Sequence, residues 1–220
     1  FSENIDDVSA ILYQSADNVV YGSKNLHSYV QLQGVYPLFF EMNKIELLTG
    51  RFINENDMKE SRKSILINST AYEGLTGSSK GYDSIIGRRL KIGGVMYKVV
   101  GVYKADESNR DYTFYMPFTT MKTIFNRGKA IDRLAFTFHG LDTEEENKAF
   151  ETTYRSVLAR RHRAAPDDTR AIRISNRFTQ NMQLEKGMRI LTVALWIVGL
   201  FPLLSGIVGV SNIMLITVKE

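Results

Sequence analysis

The stretch that decides the fold is residues 88–103, which read RRLKIGGVMYKVVGVY. Gly93 and Gly94 separate two runs of alternating apolar and polar residues, and glycine supplies the positive φ angles of a two-residue hairpin turn. Pairing Ile92 with Val95 and Leu90 with Tyr97 sets the register, because a slip of one residue would turn every side chain to the opposite face. The stretch therefore predicts a β-hairpin. Its buried face carries Leu90, Ile92, Val95, Tyr97 and Val99, and its exposed face carries Arg89, Lys91, Met96 and Lys98.

Short elements are predicted before the hairpin. Residues 64–68 are apolar enough for a buried strand, and a short helix should follow through Leu75. Four apolar residues recur at helical spacing near the start of the chain, so residues 1–13 are predicted to form an amphipathic helix. The other elements predicted before the hairpin are strands at 18–22 and 28–34, a helical turn at 38–42 that begins after Pro37, and a loop at 76–84.

A strand-helix-strand unit is predicted after the hairpin. It follows a strand at 113–116 and a helix from Pro117 to Phe125. Alternation at Leu134, Phe136 and Phe138 predicts its first strand, and Thr143 with Glu146 predicts a capping box. The helix carries a stripe of Phe150, Tyr154, Val157 and Leu158, and residues 171–175 are predicted to return as a strand. The basic residues 160–163 complement the carbonyl end of the helix dipole, which favours capping over ligand binding.

An apolar run closes the chain. Residues 190–218 contain no Asp, Glu, Lys, Arg or His, and as a helix they would reach about 43 Å at ~1.5 Å per residue. That exceeds the roughly 30 Å hydrocarbon core of a bilayer. A buried core helix is the alternative, but such helices carry polar residues on one side. The run predicts a transmembrane helix, and residues 176–189 are predicted to continue it as a rigid stalk.

Composition excludes several classes of protein. The 28 Lys and Arg residues are scattered among 24 Asp and Glu residues, giving a net charge of +4, so a nucleic-acid groove is not expected. Without cysteine there is neither a disulfide nor a thiolate metal site. Because the chain begins at Phe1 without a Met or an apolar leader, we expect it to be part of a longer protein.

A search for catalytic motifs finds no local signature. His27, His139 and His162 are far apart and lack the spacing of metal ligands. A phosphate loop around Lys80 would need glycine where Ser79 stands, so no ATP site is predicted in this chain. The acidic residues Asp142, Glu144, Glu145 and Glu146 are explained by their place at a helix N-terminus. We therefore expect no catalytic residue, no cofactor and no metal.

Residues 33–58, QGVYPLFFEMNKIELLTGRFINENDM, resemble the periplasmic core domain of MacB-type ABC-transporter permeases. SILINSTAYEGL, IGRRLKIGGVMYKVVGVYK and YMP at 115–117 follow in the order of that family, and GIVGVSNIMLITVKE resembles the start of the FtsX-like permease domain. The matching residues in the first part are Gly34, Pro37, Phe40, Gly50, Arg51, Phe52, Asp57, Gly87, Gly101 and Pro117. In the apolar run they are Gly206, Gly209, Asn212, Ile213, Met214 and Glu220.

The resemblance implies an α+β fold with a two-lobed periplasmic domain. Residues 1–35 with 131–180 would form a split, porter-like α/β lobe, and residues 36–130 would form an inserted, mixed β-rich lobe that contains the hairpin. Residues 176–189 would be the stalk helix and 190–218 the second span of a permease, entering from the periplasmic side. Localisation in the bacterial inner membrane follows, with residues 1–189 periplasmic.

The implied function is mechanotransmission for export or efflux by a non-catalytic permease subunit. ATP would bind a separate ATPase chain or domain, and the implied partners are a second permease copy, that cytoplasmic ATPase, a periplasmic adaptor protein and membrane lipid, with no nucleic acid. Two alternatives share the layout of an ectodomain followed by a span. One is the ligand-sensing ectodomain of a signalling receptor, and the other is a membrane-anchored hydrolase.

Overall fold

The hairpin forms as its sequence predicts, in strands β7 (Arg89–Ile92) and β8 (Val95–Tyr103). Ile92 pairs with Val95 and Leu90 with Tyr97. Leu90 and Tyr97 are fully buried, whereas Lys91 and Met96 on the other face are exposed. The period of two therefore placed the apolar residues in the core, and the predicted register is confirmed.

A computed structural model describes residues 5–26, 29–105, 112–162, 165 and 172–217, with the backbone alone over 209–217. Two compact units make up the chain, Phe1–His139 and Gly140–Glu220. The first contains the sheet, and the second is helical in its described part. The mixed α and β class with a long C-terminal apolar helix is confirmed. The predicted lobe boundaries, 1–35 with 131–180 around 36–130, stay a prediction.

One large mixed sheet organises the first unit. Besides the hairpin, its described strands are β1 (Ile5–Ala16), β2 (Val19–Tyr21), β3 (Lys24–Leu26), β4 (Val30–Val35), β5 (Leu47–Gly50), β6 (Ser64–Asn68), β9 (Tyr112–Pro117) and β10 (Arg133–Phe138). Nine of these ten strands follow the order β10-β1-β4-β9-β6-β8-β7-β2-β3, and the tenth, β5, pairs with β8. The parallel pairs β4·β9 and β6·β8 lie at its centre, where buried apolar residues run without alternation along β6.

Among its described residues the first unit has four short α-helices: α1 (Leu38–Met42), α2 (Glu55–Lys59), α3 (Ser69–Thr76) and α4 (Phe118–Ile124). The predicted helical turn after Pro37 and the helix after Pro117 are confirmed. The predicted loop at 76–84 contains the start of a 3-10 turn, Tyr82–Ile85. Tyr72 of α3 stabilises this turn, because its hydroxyl donates to the carbonyl oxygen of Gly81 at 2.8 Å.

The predicted helix over residues 1–13 is wrong, since Ile5–Ala16 is the longest strand of the sheet and residues 1–4 lie outside the described part. β1 pairs with β10 through its first half and with β4 through its second half. Ile11 and Leu12 are both buried, although neighbours on a strand point to opposite faces. A strand covered on both faces loses its alternation, and spacing by three and four then imitates a helix.

The second unit contains α5 (Glu144–His162) and α6 (Arg177–Thr217). The capping box is confirmed, since Glu146 N donates to Thr143 Oγ1 at 3.2 Å and Thr143 N donates to Glu146 Oε2 at 3.0 Å. Phe150 and Tyr154 lie half-buried with parallel rings 6.1 Å apart, but Val157 is half exposed. Leu158 is half-buried as well, so Val157 alone of the four predicted residues departs from the stripe.

The predicted return strand at 171–175 is wrong for residues 172–175, which form neither strand nor helix, and Ala171 lies outside the described residues. A strand needs a neighbouring strand to satisfy its backbone. Here the carbonyl of Ile172 instead accepts a hydrogen bond from the Arg155 guanidinium of α5. The alternation of apolar residues in this segment marked its burial against a helix rather than a place in a sheet.

Candidate functional site

Four of the matching residues, Gly50, Arg51, Phe52 and Asp57, lie at a corner between β5, α2 and β8, which we call the motif corner (residues 50–57). Asp57 is fully buried and accepts from Arg51 Nη1 at 2.6 Å and Arg51 Nη2 at 3.1 Å. Ser64 Oγ donates to the same carboxylate at 2.9 Å. Asn54 and Asp57 complete a capping box that begins α2. The carboxylate of Asp57 thus connects the start of α2 with the residue after β5 and with the first residue of β6.

Burial by itself would raise the pKa of Asp57, because a carboxylate loses its hydration in the core. Hydrogen bonds from Arg51, from the backbone of Asn54 and from Ser64 outweigh that effect and hold the pKa below its usual range. The carboxylate therefore stays ionised and points inward, with no exposed surface for a substrate. Its geometry supports a structural part rather than acid or base catalysis.

Two glycines of the motif let backbones approach closely at this corner. A Cβ on Gly50 would lie 2.3 Å from the carbonyl oxygen of Val100, and a Cβ on Gly101 would lie 2.6 Å from the carbonyl oxygen of Arg51. Gly50 also has φ of +80°, a conformation that disfavours other residues. Arg51 N donates to the Val100 oxygen at 2.9 Å. The two glycines thus allow the backbone course that places the Arg51 side chain next to Asp57.

The other matching residues also lie in packing positions. Phe40 stacks on Phe52 with ring centroids 4.7 Å apart, next to the corner. A Cβ on Gly34 would meet Met121 at 2.8 Å, so α4 packs directly on β4. Pro37 and Pro117 precede α1 and α4, and Gly87 lies at a positive φ before β7. Sequence reasoning found these residues but assigned none of them a contact.

The matching residues of the apolar run lie on α6 or beyond it. A Cβ on Gly206 would meet no atom within 4 Å. Gly209, Asn212, Ile213 and Met214 continue the helical backbone, and Glu220 lies outside the described residues. Residues 177–208 have a mean hydropathy of 2.3 in their most apolar window and are long enough to cross a membrane. Pro202 lies inside this helix without ending it.

A second candidate site joins α5 to α6, and we call it the stalk joint (Glu144, Asn147, Asn176 and Lys186). Lys186 Nζ lies 2.6 Å from Glu144 Oε2, an ion pair between residues 42 positions apart. Buried Asn147 accepts from Asn176 Nδ2 at 2.8 Å. Asn176 in turn accepts from Phe178 N at 3.0 Å and so caps α6. The start of the long helix is thereby held to the first turn of α5.

Sequence reasoning explained Glu144 by the helix dipole alone and missed the other three side chains of the joint. The structure confirms its place in the first turn of α5 and adds two lysines, Lys186 and Lys148. Hydrogen bonding from Lys186 and then from Lys148 lowers the pKa of Glu144 to about 2. The one local signal was an asparagine directly before the helical segment, which is typical of an N-cap.

Acid should loosen the stalk joint. A carboxylate with a depressed pKa stabilises its contacts above its usual pKa of 4.5, and that contribution is lost as the pH falls from there towards about 2. We expect Glu144→Gln to produce at pH 7 the loosening that acid produces in the unmodified chain. Because the chain has no cysteine, spin labels at Thr152→Cys and Gln183→Cys report the distance between the helices. The matched control is Glu145→Gln, and equal broadening of the distance distribution in both variants would contradict this assignment.

The two described histidines have different surroundings. His139 Nδ1 lies 2.8 Å from Asp6 Oδ1, His162 is exposed at the end of α5, and His27 lies outside the described residues. Within the described ranges no group of three His, Cys, Asp or Glu side chains could hold a metal ion.

The chain is similar to known proteins over most of its length. Residues 1–152 match the family profile described as MacB-like periplasmic core domain. The macrolide export ATP-binding/permease protein MacB of Shewanella sp. (strain ANA-3) is 28% identical over 221 residues, which cover 98% of this chain and 32% of that protein. Its counterpart in Bartonella henselae is 27% identical over 194 residues, covering 87% of this chain and 28% of that protein. The chain thus spans about a third of the length of these curated relatives.

Two solved structures share the fold. The periplasmic region of MacB from Actinobacillus actinomycetemcomitans has a TM-score of 0.58 at 18% identity and covers 73% of this chain and 69% of its own. The extracellular domain of the noncanonic ABC-type transporter YknZ from Gram-positive bacteria has a TM-score of 0.59 at 19% identity, covering 74% and 80%. With a family profile that matches residues 1–152 of 220, the chain belongs to the family of MacB-like periplasmic core domains.

Proposed function

We propose that the chain is the extracytoplasmic domain and second span of an ABC-transporter permease and that it transmits movement across the membrane. The observation that carries the proposal is the continuity of α6, whose 41 residues run from the stalk joint through the apolar segment. At ~1.5 Å per residue this helix is about 60 Å long. A continuous helix conveys a displacement, whereas a flexible linker absorbs it.

A displacement of α6 would act on α5 at the stalk joint, where the two helices are connected. Lys186 lies on α6 before the apolar segment, and Asn176 lies at the helix start. A shift or rotation of α6 would pull on Glu144 and Asn147 of α5. The motif corner has the opposite character, because the ion pair of buried Asp57 with partly exposed Arg51 and the close backbone approach make it rigid. Movement would therefore enter at the joint, while the sheet moves as one body.

The remaining parts of the proposal come from the family. ATP would bind and be hydrolysed on a cytoplasmic ATPase domain or chain, so this chain would need no cofactor. Two permease copies would assemble in the bacterial inner membrane, with residues 1–189 in the periplasm and an adaptor protein above them. Residues 1–35 with 131–180 would form the split lobe and residues 36–130 the inserted lobe. The relatives' name, macrolide export protein, supports an export function.

The test is an insertion beside Gly187, between Lys186 and the apolar segment, in the full-length transporter. Seven Gly and Ser residues should abolish transport while ATP hydrolysis continues, because the linker takes up the movement of the span. Seven residues of an Ala-rich helix are the matched control, since they add about two helical turns and restore the helix face to within about 20°. We expect this control to keep a large part of transport.

Transport retained with the Gly/Ser insertion would refute a transmitting stalk. Loss of transport in both insertions to the same degree would also refute it, because length rather than stiffness would then decide. The ectodomain fold is checked in each variant by near-ultraviolet circular dichroism of its tyrosines. A ligand-sensing receptor, the alternative from sequence, would show no transport to lose.

A further inference from the structure

A basic concavity lies on the hairpin side of the sheet in the first unit. It has a volume of about 900 Å³, and its charged lining consists of Arg51, Arg62, Lys63, Arg89 and Lys98. None of its lining residues is an Asp or Glu. Binding sites for small molecules have volumes of roughly 300–1,000 Å³. Size and charge both fit a small anionic ligand.

Two of the five cations already have a carboxylate partner. Arg51 pairs with Asp57 at 2.6 Å, and Arg62 pairs with Glu60 at 2.7 Å. For Lys63, Arg89 and Lys98 no ion pair is found among the described residues. All three are exposed. The positive charge of the concavity is therefore concentrated on these three side chains.

Strand register pairs two of these cations, and a backbone hydrogen bond brings the third next to them. Arg89 lies directly opposite Lys98 across β7 and β8, where like charges destabilise a sheet. Lys98 N donates to the carbonyl oxygen of Lys63 at 2.7 Å, which brings the residue before β6 alongside. The three cations thus come from β7, from β8 and from the residue directly before β6, and all three line the concavity. A bound anion would remove the repulsion that this arrangement creates.

We propose that the concavity binds a small soluble molecule that carries a multiply charged phosphate or a similar oxyanion. Guanidinium and ammonium groups form short charge-assisted hydrogen bonds with such groups, and Arg89 can do so with two parallel bonds. A concave site of this volume suits a small molecule better than an extended partner surface. The proposal is independent of the stalk and of the function proposed above.

The experiment measures binding of inorganic pyrophosphate to the full chain in nanodiscs of zwitterionic lipid, by calorimetry at low salt. We expect saturable binding with a dissociation constant below about 1 mM. Lys98→Gln and Arg89→Gln should each weaken it about tenfold, as expected for the loss of a charge-assisted hydrogen bond. The matched control is Lys91→Gln, on the same exposed face of β7 but outside the concavity. It should bind as the unmodified chain does.

Thermal unfolding supplies a second readout. Without anion, Lys98→Gln should unfold at a temperature no lower than the unmodified chain, because the change relieves the repulsion from Arg89. With pyrophosphate, the unmodified chain and Lys91→Gln should shift upward while Lys98→Gln should not. Because each variant is compared with itself with and without pyrophosphate, the shift in its unfolding temperature separates a loss of binding from a loss of stability.

Three outcomes would overturn the proposal. The first is no binding of pyrophosphate by the unmodified chain at millimolar concentration. The second is an equal loss of affinity in Lys91→Gln and Lys98→Gln, which would indicate attraction by net charge alone. The third is loss of pyrophosphate binding in nanodiscs that contain anionic phospholipid, since lipid headgroups rather than a soluble molecule would then occupy the concavity.

Discussion

Replacing Gly50 with alanine is expected to destabilise the first unit by about 4 kcal/mol. The new Cβ would lie 2.3 Å from the carbonyl oxygen of Val100, which also accepts the hydrogen bond of Arg51 N. Neither backbone can yield without opening the pairing of β5 with β8. The positive φ of +80° adds strain. Urea denaturation of the chain in detergent, followed by near-ultraviolet tyrosine circular dichroism, measures the loss.

Gly94→Ala is the matched control for this substitution. Gly94 has φ of +86°, close to that of Gly50, but a Cβ there would meet no atom within 4 Å. We expect a loss of about 1 kcal/mol from backbone strain alone. Equal losses at both positions would show that close approach of the backbones contributes nothing at the motif corner.

Replacing Arg51 with methionine is expected to cost about 2 kcal/mol at pH 7. The change leaves the fully buried Asp57 with only Asn54 N and Ser64 Oγ as donors. Breaking a completely buried ion pair costs about 3–5 kcal/mol, but Arg51 is 42% exposed and its interaction is partly screened. The same denaturation experiment measures this loss. Arg62→Met is the control, because both members of its pair with Glu60 are exposed, and it should leave the stability nearly unchanged.

The pH dependence tests the assignment to Asp57. Because its pKa is lowered in the folded chain, ionised Asp57 contributes stability above its usual pKa of 3.8. That contribution is lost as the pH falls from 3.8 through the lower pKa of the folded state. Without Arg51, the pKa of Asp57 should rise, because burial raises it and the hydrogen bond from Arg51 is the largest effect that lowers it. The stability gap between the two proteins should therefore narrow in acid. A gap that stays constant down to pH 2.5 would show that the charge of Asp57 is not involved.

Local patterns were sufficient wherever an element's own residues set its structure. The two glycines and the alternation around them determine the hairpin and its register. A proline opens α1, and a capping box opens α5. In each case the deciding contacts lie within a few residues along the chain, so the sequence contains the whole cause.

Long-range contacts decided the elements that the sequence predicted wrongly. Ile5–Ala16 becomes a strand because β10 and β4 pair with it across more than a hundred and about twenty residues of chain. Residues 172–175 pack on α5 through Arg155 rather than pairing in a sheet. The ion pair of Glu144 with Lys186 spans 42 positions. Spacing along the chain carries no signal for partners so far apart.

By itself the sequence determined the hairpin, the apolar helix and the resemblance that the family profile confirms, because each rests on residues close together in the chain or on a motif. Tertiary structure alone decided what the motif is for. It showed that Gly50, Arg51 and Asp57 meet at one corner and that Arg89, Lys98 and Lys63 line one concavity. The physical reason is that burial, repulsion and close backbone approach depend on neighbours in space, which only the folded sheet brings together.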